Sequence, residues 1–300
     1  MDMRVNIAGV TWKNPVTVAS GTFGSGMEYS EFVDLNRLGA VTTKGVAPVP
    51  WEGNGTPRIC ETPSGMMNAV GLQNPGVDLF KERDLPFLEA YDTKVIVNVC
   101  GHALEEYLTV VEKLQDAPCD MLEINISCPN VTEGGLQFGQ DPKAAEKVTR
   151  EVKKIARQPV IMKLSPNVSS ISDMARACEA GGADALSLIN TLTAMKIDVE
   201  RQKFVLANKT GGLSGPAIHP VAVRMVYEAA AAVKIPIIGM GGIRSWQDAI
   251  EFMLAGASAV SVGSMNFANP HITEEILAGM EDYMVRHGIQ RITDIIGRVS

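Results

Sequence analysis

The sequence holds no C-x-x-C pair. Its five cysteines, Cys60, Cys100, Cys119, Cys128 and Cys178, are an odd number spread singly along the chain. That pattern excludes a disulfide framework and offers no spacing for a zinc or iron–sulfur centre, so no metal is expected. Reduced thiols fit a cytoplasmic protein. No apolar run approaches the roughly 18 residues of a membrane-spanning helix. The opening Met1-Asp2-Met3-Arg4-Val5-Asn6 lacks the apolar stretch of a secretion signal. Positive charge is short: 27 Lys and Arg against 34 Asp and Glu leave a net charge of −7. A nucleic-acid binder living on phosphate contacts is therefore not expected, although a local basic pocket for a small anion remains open. Low-complexity segments, charge blocks and linkers are absent too, which argues for one domain over residues 1–300.

What is present is a globular composition, with 46% hydrophobic and 20% charged residues, which excludes disorder and coiled coil. A chain of this size buries about three quarters of its unfolded surface and needs no staples. Short β-branched runs alternate with segments of helical period. The strand candidates are Val16–Ser20, Ala40–Lys44, Val95–Val99, Met121–Ile126, Val160–Leu164, Ala185–Asn190, Ile237–Met240 and Ala259–Gly263. Several are apolar on both faces, as strands covered by helices should be. Leu104, Tyr107, Leu108 and Val111 fall at i, i+3, i+4, i+7, and so do Ala249, Phe252, Met253 and Gly256. Asp141-Pro142 and Ser245-Trp246-Gln247-Asp248 read as helix starts.

Eight such units are the count of a (β/α)8 TIM barrel, with a doubly wound sheet as the rival reading. Residues 45–77 and 191–217 break the rhythm as long loops after the second and sixth strands. Both leave strand C-terminal ends, where barrel active sites are built. Met3–Val10 reads as an N-terminal hairpin closing the opposite end.

In a barrel, Ser20, Lys44, Asn98, Asn125, Lys163, Asn190, Gly241-Gly242 and Gly263-Ser264 share one rim. A lysine ending a strand ordinarily snorkels to water, and a single Asn is ordinarily a turn residue. Together they make a polar, cationic mouth on apolar strands. The glycine turns after strands seven and eight suit a phosphate, of substrate or of cofactor, held by backbone N–H groups. Gly21-Thr22-Phe23-Gly24-Ser25-Gly26 is no dinucleotide fingerprint, because its spacing is reversed and the next strand ends in Lys44 rather than an acid. Cys60, Cys119 and Cys178 read as small buried hydrophobes. Cys128 lies in a polar strand-end loop, Asn125-Ile126-Ser127-Cys128-Pro129-Asn130, where a thiol can serve as base, nucleophile or acid. Gly134-Gly135 lets that loop act as a hinged lid.

These residues resemble the class 1 dihydroorotate dehydrogenases. The matching pieces are Ala19-Ser20-Gly21-Thr22, Thr43-Lys44-Gly45, Asn68-Ala69-Val70-Gly71-Leu72-Gln73-Asn74, the Asn125–Asn130 segment, Met162-Lys163-Leu164, Ile189-Asn190-Thr191, Gly239-Met240-Gly241-Gly242 and Gly263-Ser264. They span nearly the whole chain. The Ser-Cys-Pro-Asn and Asn-x-x-Gly-Leu segments are specific to this family and its dihydropyrimidine dehydrogenase relatives; the glycine turns are not.

The resemblance implies an FMN-bound barrel that oxidises dihydroorotate to orotate in pyrimidine synthesis. It implies that Cys128 removes the C5 proton while the C6 hydride goes to flavin N5. Lys44, Asn68, Ala69, Val70, Gly71, Leu72, Asn125, Asn190 and Thr191 would hold substrate. Ser20, Lys44, Gly45, Asn98, Asn125, Lys163, Ile189, Gly215, Gly241, Gly242, Gly263 and Ser264 would hold FMN, with Lys163 as the cation beside reduced flavin. The types suit the task, since Asn side chains both donate and accept toward a ring of amide edges.

Class 1 divides by electron acceptor. The stretch Asn130–Gly139 resembles class 1B, in which an iron–sulfur flavoprotein subunit carrying FAD passes electrons to NAD. The resemblance then implies a homodimer of this chain within a heterotetramer. A fumarate-coupled class 1A enzyme is the alternative. A tRNA dihydrouridine synthase is a weaker one, opposed by the acidic charge and the lack of a spare RNA-binding domain.

Overall fold

The computed structural model describes residues 1–127, 132–133 and 136–299. Eight parallel strands form one sheet. They are β1 (Val16–Val18), β2 (Ala40–Thr42), β3 (Lys94–Val99), β4 (Met121–Asn125), β5 (Val160–Lys163), β6 (Ala185–Leu188), β7 (Ile237–Met240) and β8 (Ala259–Val262). Each pairs with its sequence neighbours from β2 to β8, and β8 pairs back onto β1. The remaining seam is closed by Gly39 N–H donating to Val16 O at 3.1 Å and by Thr17 and Thr42 hydroxyls 3.3 Å apart. This is a (β/α)8 barrel, and the doubly wound reading falls with the closure.

All eight expected strands stand within a few residues of their expected bounds. The helices follow, with one departure. Only two short 3-10 turns, Tyr29–Glu31 and Leu35–Arg37, separate β1 from β2. Elsewhere amphipathic helices cover the sheet, among them Leu104–Leu114, Pro142–Ile155, His219–Ala232 and Trp246–Leu254. The apolar face at Tyr107, Val111, Ala249, Phe252 and Met253 is buried, as the 3.6-residue period requires. Asp141 caps its helix by accepting from Ala144 N–H at 2.9 Å, an interaction worth about 1 kcal/mol. Ser245 accepts from Asp248 N–H, but the Asp248 carboxylate returns to Arg244 N–H at 2.9 Å rather than to Ser245 N–H.

The N-terminal hairpin pairs Val5–Ile7 with Val10–Trp12, two residues further along than the sequence pattern suggests. Asn6 and Ala8 border a depression with Ile235, Ile237 and Ser258, where β7 and β8 begin, so the hairpin lies at the N-terminal end of the barrel.

The two long insertions meet at the other end. Ile59–Thr62 and Gly65–Asn68 come from the first, Leu192–Met195 and Thr210–Ser214 from the second. They form one four-stranded antiparallel sheet in which Gly212 lies opposite Asn68 and Leu213 opposite Met67. Among the described residues, no helix is long and apolar enough to cross a membrane.

Candidate active site

The strand β4 reads Met121-Leu122-Glu123-Ile124-Asn125, an apolar run interrupted at alternate positions. Period-2 geometry therefore turns Glu123 and Asn125 to the same side, toward the barrel axis. Asn125 reaches the rim, and Glu123 lies one layer below with 2% of its surface exposed. The Glu123 carboxylate accepts from Asn98 Nδ2 at 2.6 Å and from Ser187 Oγ at 2.7 Å. The Lys163 ammonium at the end of β5 stands 3.8 Å from Glu123 Oε1, and Lys163 is 5% exposed. Buried charges persist only when paired in this way.

Lys44, two residues past β2, supplies a second cation at the same mouth. Burial pushes its ammonium below the ordinary lysine value. Lys163 and Arg58 push the same way, while Cys100 opposes them.

The rim is tied together by amides. Asn190 Nδ2 donates to Ser127 Oγ at 2.9 Å and to Asn125 Oδ1 at 3.3 Å. Ser127 Oγ lies 3.0 Å from Asn125 Oδ1, and Asn190 Oδ1 accepts from Thr191 N–H at 2.8 Å. Tyr107 anchors β4 from outside by donating to Asn125 O at 2.8 Å. Asn167 extends the array, donating to Thr191 O at 3.1 Å and accepting from Thr193 N–H at 2.9 Å.

The insertion sheet roofs this rim. Asn54 N–H donates to Val70 O at 3.0 Å, and Asn54 Nδ2 to Ala69 O at 2.9 Å, which fixes the Asn68–Leu72 segment over the mouth. On the far side, Gly242 has a left-handed φ of +69°, and a Cβ there would sit 2.7 Å from Gly215 O. Glycine thus lets the turns after β6 and β7 touch. His219 braces the same turn, 3.1 Å from Gly241 O and 2.8 Å from Glu251 Oε2.

These elements enclose a cavity of about 500 Å³, within the roughly 300–1,000 Å³ usual for small-molecule sites. Ser20, Lys44, Gly45, the Asn68–Leu72 segment, Asn125, Lys163, Ile189, Asn190, Thr191, Gly215, Gly241, Gly242, Gly263 and Ser264 all line it. Asn98 does not line it; it is fully buried beside Glu123, beneath the cavity floor. Cys128 lies outside the described residues, as do Pro129, Asn130, Val131, Gly134 and Gly135. Within the stretch that carries the class 1B resemblance, Thr132–Glu133 pairs antiparallel with Leu136–Gln137.

Sequence reasoning missed Glu123, Asn54 and Asn167. An acid inside an apolar strand is a signal for Glu123, and an Asn just past β5 is one for Asn167. Asn54 carries no local signal, because its role exists only once residues 69 and 70 fold back over it. The other thiols divide. Cys178 and Cys119 are pushed up to about 12 by burial, as inert packing groups are. Cys60, on a roof strand, and Cys119 are only half-buried, contrary to the expectation of buried residues, which Cys178 meets.

The match to known proteins covers this whole arrangement. The family model described as dihydroorotate dehydrogenase matches residues 2–284. The chain belongs to the dihydroorotate dehydrogenase family.

Its relatives within that family are similar from end to end. It is 64% identical over 300 residues to a protein of Lachnoclostridium phytofermentans named dihydroorotate dehydrogenase B (NAD(+)), catalytic subunit, covering 100% of both chains. It is 61% identical over 298 residues to the protein of that name from Alkaliphilus oremlandii, covering 99% of each. With the Thermoanaerobacter pseudethanolicus protein of the same name the identity is 54% over 300 residues, 100% of this chain and 99% of the relative. The family's flavin dependence makes a flavin the cofactor class for which this cavity has to account.

Proposed function

We propose that this chain is the FMN-carrying catalytic subunit of an NAD-linked dihydroorotate dehydrogenase, oxidising (S)-dihydroorotate to orotate in cytoplasmic pyrimidine synthesis. The carrying observation is the convergence of Lys44, Lys163, Asn125 and Asn190 with three glycine turns on one cavity. Full-length relatives named as the catalytic subunit of such an enzyme support the same reading.

The residues fit a flavin mononucleotide. Gly215, Gly241 and Gly242 line the cavity at positive φ, where an added Cβ would collide with Gly65, Ala222 and Gly215 O respectively, so only glycine lets the backbone turn there. Their backbone N–H groups, with Gly263 and Ser264, suit a phosphate. Asn98 Oδ1 is a buried acceptor without a partner among the described residues, and a Cβ on cavity-lining Gly45 would come within 2.7 Å of it. When bound, the flavin supplies the two-electron acceptor for the hydride leaving C6 of the substrate.

The chain's own residues do the rest. Lys44 offers a point charge to the substrate carboxylate. Asn68, Asn125 and Asn190 read the amide edges of the ring, with the backbone of Ala69–Leu72 and Thr191 closing around it. Ser127 lines the cavity, and Cys128 is its covalent neighbour. The Cys128 thiolate takes the C5 proton. An ordinary thiol titrates near 8.5, so the thiol needs help from its surroundings to work as a base at neutral pH.

Electrons leave through a second chain. The sequence carries no nicotinamide fingerprint and no cysteine cluster. An iron–sulfur flavoprotein with FAD supplies both, bound to a homodimer of this one-domain chain in a heterotetramer. The purified chain alone should bleach FMN with dihydroorotate yet fail to reduce NAD. Robust NAD reduction by the lone chain would refute the partner, and rapid fumarate reduction would assign it to the other class.

A further inference from the structure

We infer that Glu123 is a positioning residue that sets both the charge balance and the amide orientation beneath the flavin site. The inference rests on the flavin reading above and goes beyond it. Glu123 is 2% exposed, at the centre of the barrel, where an acid is costly unless it has a task.

Its contacts define that task. Each carboxylate oxygen takes one short bond from a neutral donor, Asn98 Nδ2 at 2.6 Å and Ser187 Oγ at 2.7 Å. Lys163 Nζ stands at 3.8 Å, close enough for strong attraction but beyond hydrogen-bond length. The carboxylate therefore lends its charge to Lys163 without occupying the ammonium's protons, which stay available to the cavity that Lys163 lines.

The same carboxylate orients Asn98. An ionised carboxylate only accepts, so the Asn98 amide must turn its NH2 group toward it. The carbonyl oxygen is then held toward Gly45, which lines the cavity, and is unpartnered among the described residues. A glutamine at 123 can donate or accept, and it removes both constraints at once.

Charge counting gives the direction. Lys44 and Lys163 face the cavity, and Glu123 is the acid that packs against Lys163. Fixed cations near a flavin stabilise its reduced, anionic form and raise its potential. Glu123 tempers that field. The flavin then gives up its electrons readily, as transfer to a weak oxidant such as a nicotinamide requires.

The test is the midpoint potential of bound FMN in Glu123→Gln and Glu123→Asp, measured by anaerobic spectroscopic titration against reference dyes. E123Q should shift the reduced-to-oxidised ratio at fixed potential toward reduced flavin on the order of tenfold, about 30 mV for a two-electron couple. E123D keeps the charge and should stay near wild type. A purely structural role would lower the thermal midpoint of both variants together and leave both potentials unmoved. If E123Q does not fold, Glu123→Asn, which also removes the charge, should shift the potential in the same direction. FMN-loaded protein with an unmoved or lowered potential in E123Q, or in E123N where that variant stands in, overturns the inference. A chain that takes up no FMN at all overturns the flavin reading instead.

Discussion

Asn190 donates to Ser127 Oγ at 2.9 Å, joining the end of β6 to the root of the loop that carries Cys128. The same side chain holds Asn125 and the backbone of Thr191, so one amide coordinates three parts of the rim. Asn190→Ala should weaken orotate binding roughly tenfold or more, since each lost hydrogen bond costs about 0.5–1.5 kcal/mol and partners are left unpaired. FMN content should be retained. Orotate titration of the flavin spectrum reads the effect.

Cys128→Ser should keep FMN and orotate binding and slow flavin reduction by about 10²–10⁴, the usual worth of a general base. The deficit should be greatest at neutral pH, where a hydroxyl is a far poorer base than a thiol. Stopped-flow reduction by dihydroorotate across pH checks this. A wild-type rate would assign the base to another residue.

Lys44 gives the pH dependence of binding. Burial, Lys163 and Arg58 lower its proton affinity, so it loses its charge below the ordinary lysine value of about 10.4. In the proposed role, Lys44 binds the orotate carboxylate in its protonated form. Affinity should therefore fall as pH rises through the alkaline range, earlier than for a solvated lysine. Lys44→Met should bind weakly at all pH values and abolish this slope in an orotate titration.

Gly242→Ala tests the glycine cradle. The residue has φ +69°, and an added Cβ would meet Gly215 O at 2.7 Å and His219 Cβ at 2.8 Å. Strain of about 1–3 kcal/mol plus displacement of the β6 turn should lower the melting temperature and release FMN. Differential scanning fluorimetry and the flavin-to-protein absorbance ratio would measure both.

The barrel was legible because each strand carries its own local signal, a short β-branched run bounded by turn residues. The polar strand ends were legible for the same reason, and among the described residues all but Asn98 line one cavity. What the sequence concealed is pairing between distant segments. Nothing local in Gly65–Asn68 or Thr210–Ser214 announces that they are neighbours, so the insertions read as loops rather than as one roof. Asn54 was invisible for that reason. Glu123 was visible as an acid in an apolar strand, but its significance came only with Asn98, Lys163 and Ser187 around it. The missing first helix has a similar origin. Asp34 caps a short turn by accepting from Asn36 N–H at 3.0 Å, and the chain re-enters the sheet at Ala40 before a full helix can form.

The central claim is that Cys128 and a flavin act on dihydroorotate from this cavity while the nicotinamide chemistry resides elsewhere. Anaerobic mixing of the FMN-loaded chain with dihydroorotate, with and without NAD, tests it directly. Flavin absorbance near 450 nm should collapse at the same rate in both, with no NADH formed. Flavin that stays oxidised under excess dihydroorotate, or NADH produced by the chain alone, would contradict it.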